Sequence, residues 1–305
     1  MHMTSIAPWF GGKRTLAPRI VRELGRHTQY FNPCCGSLAV EFAKEPSQKE
    51  TVNDLHGDII NLARCVQFQD TAEMLYDRLQ RVLFCDAVLE DAQAYIDASP
   101  EPQDGTMDLV RAYWYFLACW LQRNGTSGTA HNAFQLAVRW TKNGGSATVR
   151  FRHAVDSIPA WHHRLRNIVI LRRDMFNLIP KFEDHAATAI YVDPPYWGAS
   201  RNSHDAKGQY LHDFAHQDVP GNLFTSDHAK KNDHARLADM LRTFQHARVV
   251  VGYYDHPAIR KLYAGWTFVP CPMQKSLTAM RRRAVVDDAP ELLIINGPSY
   301  TMENP

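Results

Sequence analysis

The stretch AATAIYVDPPYW at residues 186–197 decides how the rest of the chain is read. Its first seven residues are small, β-branched or aromatic and carry no charge, so 186–192 is expected to be a buried strand. Pro194 and Pro195 can neither continue a ladder nor enter a helix interior, so the chain must turn sharply there in an extended conformation. The strand therefore delivers the carboxylate of Asp193, the carbonyl of Pro194 and the aromatic face of Tyr196 to one point. In open α/β sheets ligands bind at the carboxyl ends of strands. A planar group with an exocyclic amine suits this point, because carbonyl and carboxylate accept from the amine while the ring stacks on Tyr196. A strand-end Asp is also a common turn former, and Pro-Pro-Tyr pieces occur in disordered peptide ligands. The buried-looking strand ahead of the motif argues against the second of these.

Working outward, 305 residues suffice for one large domain or for a core with an insertion. Apolar content of 45% and charged content of 22% are ordinary for a globular enzyme. A net charge of +2 excludes global polybasic character, although basic residues gather at Lys13-Arg14, Arg164–Arg173 and Arg281–Arg283. Six cysteines form no CxxC pair, and several sit in apolar runs, which suits a reduced compartment. With no signal peptide and no apolar run of membrane-spanning length, the chain is expected to be soluble and cytoplasmic.

Strand signals occur at about 29–32, 50–53, 167–171, 188–192, 247–252, 266–270 and 291–295. Helical patterns such as Leu16–Leu24 and His234–Phe244 separate most of them, which implies a mainly parallel seven-stranded α/β sheet with helical crossovers. The gap between the second and third strands is too long for one crossover. Residues 57–85 and 106–122 look helical, and 123–153 is rich in Gly, Asn, Arg and Lys, with turn chemistry at Lys142-Asn143-Gly144-Gly145. We read 65–165 as an inserted, mostly helical domain carried by a core of residues 1–64 and 166–305.

Other strand ends add chemistry. The first runs into Asn32-Pro33-Cys34-Cys35-Gly36-Ser37, a small-residue turn before a helix that would let a ligand approach backbone amides. The second ends at Asn53-Asp54, about 20 residues later, the usual place for an acid that grips ribose hydroxyls. The third leads into Asp174-Met175-Phe176, a carboxylate and an aromatic face suited to an adenine ring. Each acid alone reads rather as a helix N-cap or turn residue; jointly, placed after successive strands, they favour a site. Gly11-Gly12-Lys13 is no phosphate loop, because Ala7 stands at the first glycine and Arg14 at the magnesium-binding hydroxyl. Leu38 likewise breaks the dinucleotide GxGxxG pattern. A nucleoside cofactor without a polyphosphate fits better.

Taken in order, WFGGKR (9–14), FNPCCGS (31–37), VNDLHGDIIN (52–61), RDMF (173–176), DPPY (193–196), DHARLADML (233–241), VVVGYYDHPAIRKLY (249–263) and ELLIIN (291–296) resemble the Dam-type DNA adenine methyltransferases over nearly the whole chain. The resemblance implies a class I methyltransferase (Rossmann-like) sheet with helices on both faces and a target-recognition insertion. It also implies transfer of a methyl group from S-adenosyl-L-methionine to the 6-amino group of adenine in double-stranded DNA. By position, Trp9, Gly11, Gly12 and Lys13 border the methionine end of the cofactor. Asn32, Gly36 and Ser37 lie in its turn, Asp54 takes the ribose, and Asp174 with Phe176 takes the adenine. Three places depart from the family pattern: Asn32-Pro33-Cys34 stands for the usual Glu-Pro-Phe, Gly36-Ser37-Leu38 for Gly-Ser-Gly, so that Leu38 narrows the turn, and the insertion lacks the usual Phe-Asn-Val-Pro piece after Asn-Gly, although Arg139 and Asn143-Gly144 echo its surroundings.

The catalytic expectation is that a flipped-out adenine stacks on Tyr196 while Asp193 and the Pro194 carbonyl accept its amino hydrogens. Pro195 fixes the turn. Arg123, Asn124, Arg139, Lys142 and Arg150 are the expected DNA contacts, with Trp140 nearby. Trp114 and Trp120 stand at helical spacing with Tyr113 and Phe116, which favours core packing. No metal site is expected; His212 and His216 read as a surface pair. Methylation of the cytosine 4-amino group and a DNA-binding relative without transfer activity are the alternatives. A restriction endonuclease counterpart and the oligomeric state stay open, as does the DNA sequence recognised.

Overall fold

The computed structural model describes residues 5–9, 11–103, 105–122, 136–138, 146–197, 212–214, 232–271, 273–274, 288–289 and 291–302. Arg123, Asn124, Arg139, Trp140, Lys142, the turn at Asn143-Gly144-Gly145 and His216 lie outside them. Along the chain come α1 (Ala17–Leu24), β1 (Gln29–Asn32), α2 (Ala39–Ala43), β2 (Lys49–Asn53), α3 (Gly57–Gln67), α4 (Gln69–Gln80), α5 (Asp86–Ala98) and α6 (Leu109–Leu121). Then follow α7 (Ala147–Asp156), α8 (Ile158–Leu165), β3 (Ile168–Leu171), α9 (Met175–Leu178), β4 (Thr188–Val192), α10 (Asp233–Leu241), β5 (Arg248–Tyr254) and α11 (Pro257–Leu262). The last strands are β6 (Thr267–Pro270), β7 (Met273–Gln274), β8 (Asp288–Ala289) and β9 (Glu291–Ile295). Seven strands form one sheet in the order β3-β2-β1-β4-β5-β9-β6, the mainly parallel α/β arrangement expected. Among the described residues no helix is long and apolar enough to cross a membrane.

The chain forms two compact units, one of residues 1–15 and 35–173, the other of 16–34 and 174–305. In the first, β2 and β3 pair in parallel, and α2 to α8 supply most of the mass. The sequence LVRAYWYFLACWL of α6 is apolar nearly all round, and Phe116 and Trp120 are buried as their spacing predicts, while Trp114 is half-buried. Its one buried cation, Arg111, meets the buried Asp58 through two bonds of 2.5 and 3.0 Å. Glu50 on β2 is buried too, held by Lys44 and by Arg164, whose guanidinium donates at 2.5 and 3.0 Å. Burial works to raise the Glu50 pKa; the bonds from Arg164 and Lys44 outweigh it and hold the carboxyl below its ordinary value.

Helical structure in this unit departs from expectation in three places, one of them α5, where no helix was expected. The helical reading of 57–85 is cut at Phe68, which is extended and 52% exposed, so α3 and α4 are separate helices. Residues 147–153, read as part of a polar stretch, belong to α7, which starts where the Ser146 hydroxyl accepts from Val149 N–H.

In the second unit β1, β4 and β5 run parallel, and every residue of β4 is buried, as an uncharged central strand requires. The final strand β9 runs antiparallel between β5 and β6, pairing Tyr254 with Glu291 and Gly252 with Leu293. Glu23 of α1 is fully buried and accepts from Ser299 Oγ (2.6 Å), Tyr300 N–H (2.9 Å) and Thr301 N–H (3.1 Å).

Candidate active site

In the first unit the turn before α2 is built around Asp54. Its two carboxylate oxygens accept from Gly36 N–H at 2.8 Å and His56 N–H at 3.0 Å, while Cys35 N–H donates to the Asn53 carbonyl at 2.8 Å. The Asn53 side chain stitches the end of β2 to Arg173, donating to its carbonyl and accepting from its N–H at 2.9 and 2.8 Å. Burial pushes the Asp54 carboxyl up, against the opposing pull of the His56 and Gly36 amides. Gly36 has φ +47°, and a Cβ there would lie 2.8 Å from Trp9 Nε1. Only glycine allows both that backbone and that contact. Trp9 also meets the His56 ring edge-on at 5.3 Å. The next segment folds back, with Gly12 N–H on the Trp9 carbonyl and the buried Lys13 ammonium donating to the Gly11 carbonyl at 2.8 Å. The Ser37 carbonyl accepts from Ile6 N–H at 3.0 Å.

Leu38, the residue expected to narrow the turn, is part of the interior. It takes φ +62°, a left-handed backbone of the kind glycine favours, and it is 1% exposed. Arg150, an expected DNA contact, stands on α7 with its guanidinium 5.9 Å from the Trp120 ring. His56, Asp58 and Glu101 bring their ligand atoms within 4.8 Å of one another. Arg111 pairs with that Asp58 and Arg172 with that Glu101, so both carboxylates already meet a cation.

In the second unit Asp193 follows β4 directly and is half-buried, with Pro194 buried behind it. The Tyr196 hydroxyl lies 3.1 Å from Asp193 Oδ1 and 2.7 Å from Glu291 Oε1. The Tyr196 ring is 3% exposed and meets Tyr254 edge-on at 4.5 Å and Tyr253 at 5.8 Å. Gly252 on β5 makes room: a Cβ there would lie 3.0 Å from Asp193 Oδ1. Tyr253 in turn meets the buried His234 Nδ1 at 2.9 Å; burial, then the neighbouring Tyr263, Cys34 and Asp193, raise its phenol well above the ordinary value. Trp197 packs on His234 and His256. Asn32 is buried, its Oδ1 accepting from Cys34 N–H at 3.1 Å. Asp174 caps α9, accepting from Phe176 N–H at 2.9 Å, and Phe176 is 2% exposed beneath Arg236, 4.1 Å from its centroid, with Phe214 at 5.6 Å.

The order of these pieces along the chain decides their kinship. A family model of the D12 class N6 adenine-specific DNA methyltransferases matches residues 9–271. The chain belongs to this family. As a D12 class enzyme it is an S-adenosylmethionine-dependent adenine methyltransferase whose substrate is DNA, and its sheet is consistent with the class I methyltransferase fold. No curated protein matches the chain. Beside the Asp193–Tyr196 turn stand Glu291, Gly252 and the Tyr253-Tyr254 pair, which reasoning from sequence passed over as site candidates. Their signal was present, an acid opening the apolar run ELLII and a glycine inside VVVGYY, but it acquires meaning only through the antiparallel register.

Proposed function

We propose that the chain methylates a flipped-out adenine of double-stranded DNA, with Asp193 and the Pro194 carbonyl accepting the two amino hydrogens and the Tyr196 ring stacking on the base. The adenine amino nitrogen is a poor nucleophile because its lone pair is delocalised into the ring. Two acceptors favour a pyramidal nitrogen and return the lone pair to it, and the Asp193 carboxylate stabilises the positive charge that develops. The observation that carries this reading is the Asp193–Tyr196 contact of 3.1 Å directly beyond β4, in a chain of this family. Because Tyr196 is 3% exposed, the side chains around it must move aside before a base can stack.

The residues fit the methyl donor by their donor set. The acid Asp54 beside the Gly36 turn suits ribose hydroxyls, Asp174 and Phe176 suit an adenine, and Trp9, Gly11, Gly12, Lys13, Asn32 and Ser37 border the methionine end. Bound S-adenosylmethionine supplies an electrophilic methyl group on a sulfonium sulfur. For Phe176 to stack on its adenine, Arg236 must swing off the ring it covers at 4.1 Å. We assign residues 65–165 to target recognition, carried by a core of 1–64 and 166–305. Arg123, Asn124, Arg139, Lys142 and Arg150 are its proposed phosphate and base contacts.

The test is Asp193→Ala. Methyl incorporation into DNA from a methylation-free host is expected to be lost, while calorimetry shows S-adenosylmethionine binding within about threefold of the parent, under 1 kcal/mol. Turnover close to that of the parent would remove Asp193 from the chemistry.

A further inference from the structure

We infer that Glu291 is the end point of a proton relay that runs from Asp193 through the Tyr196 hydroxyl. The inference rests on the proposed role of Asp193. Methylation leaves one proton too many on the amino nitrogen, and it must go somewhere. The phenol has one hydrogen, and among the described residues it meets the carboxylates of Glu291 at 2.7 Å and Asp193 at 3.1 Å. The shorter contact takes the hydrogen, so Tyr196 donates to Glu291 and turns oxygen lone pairs toward Asp193 Oδ1. Two oxygens facing each other without a hydrogen gain nothing at 3.1 Å; the contact becomes a hydrogen bond when Asp193 is protonated. The arrangement is therefore set to receive a proton at Asp193.

The balance is complete. As the N–CH3 bond forms, the S–CH3 bond breaks and its electron pair stays on sulfur as a neutral thioether. The amino nitrogen gives one proton to Asp193, Asp193 passes it to the Tyr196 oxygen, and Tyr196 passes its own to the Glu291 carboxylate. Asp193 is again ionised, and Glu291, half-buried, returns the proton to water. Gly252 permits this spacing, since any side chain at that position would press on Asp193 Oδ1. Glu291 never touches the base; it is a positioning and proton-accepting residue acting through Tyr196. The antiparallel pairing of β9 with β5 sets it there, 95 residues along the chain from its partner.

The experiment compares Tyr196→Phe, Glu291→Gln and the double variant with the parent, using single-turnover methyl transfer to DNA from a methylation-free host in H2O and D2O. Glu291→Gln keeps an oxygen that accepts from the phenol but cannot take its proton. Each single variant is expected to lose about a hundredfold in rate, the low end for general acid–base assistance, with the double variant no slower than either and a reduced solvent isotope effect in all three. A second readout needs no turnover. In cofactor-free protein carrying tyrosine 13C-labelled at Cζ, Glu291→Gln is expected to shift the Tyr196 signal, because its hydroxyl exchanges a charged acceptor for a neutral one. Parental rate and isotope effect in Glu291→Gln, or a Tyr196 signal indifferent to Glu291→Gln, overturns the relay. A parent that methylates no DNA overturns instead the reading on which it rests.

Discussion

Leu38 holds φ +62°, where an L side chain crowds the next carbonyl at a cost of about 1–2 kcal/mol. Among the described residues it is the one non-glycine with a positive φ. Against that stands a side chain 1% exposed, and emptying a buried leucine site costs about 2–5 kcal/mol. Burial outweighs strain. Leu38→Gly restores the residue usual in the family yet is expected to lower stability by about 1–3 kcal/mol, the packing loss less the strain relieved, read from urea unfolding. A gain in stability would mean that the backbone strain exceeds what the buried side chain contributes. The sequence identified Leu38 as a departure from pattern, but it could not say where the side chain points. That direction depends on the turn it sits in, which Asp54 and Trp9 shape from elsewhere in the chain.

The segment joining β2 to α3 carries Asp54, and Arg172, just beyond β3, clamps it. Its guanidinium donates to the Leu55 carbonyl at 3.0 Å, to Glu101 at 2.6 Å and to the Pro102 carbonyl, while Glu101 also accepts from Gly57 N–H at 3.2 Å. Arg172→Met removes every one of the guanidinium bonds and keeps most of the stem. It is expected to cost about 1–3 kcal/mol and to raise hydrogen exchange at the amides of 55–57 before any other segment. Unchanged protection there would show that the segment holds its shape without the clamp. Elements of this kind were legible where a local pattern suffices: all seven sheet strands were foreseen, with ends within two residues. α5 was not, because its buried face is only Leu89, Ala92 and Gln93, and it rests on α6. Nor was the direction of β9, since an apolar strand reads the same either way and its partners β5 and β6 come earlier in the chain.

At the scale of the molecule, each unit buries a glutamate that must stay ionised. Glu50 serves the first and Glu23 the second; in both, burial raises the pKa, and bonds, from Arg164 and Lys44 or from Ser299 and Thr301, outweigh it. A carboxyl depressed in the folded state stabilises fully above its unfolded pKa, near 4.5, and loses that contribution as pH falls through the folded value. Denaturant midpoints are therefore expected to fall steeply below about pH 4.5. Glu50→Gln should cost about 3–5 kcal/mol at neutral pH by stranding Arg164 and Lys44, and should flatten the acid slope. The same steep slope in that variant would assign acid sensitivity elsewhere. The placement of β9 has a consequence for synthesis. A strand made after both of its neighbours leaves β5 and β6 unjoined on the ribosome until it emerges, with open edges that need shielding. Until residue 291 emerges Tyr196 has no Glu291 to bond, so a nascent chain that already displays the Asp-Pro-Pro-Tyr turn lacks one of the carboxylates that hold its tyrosine.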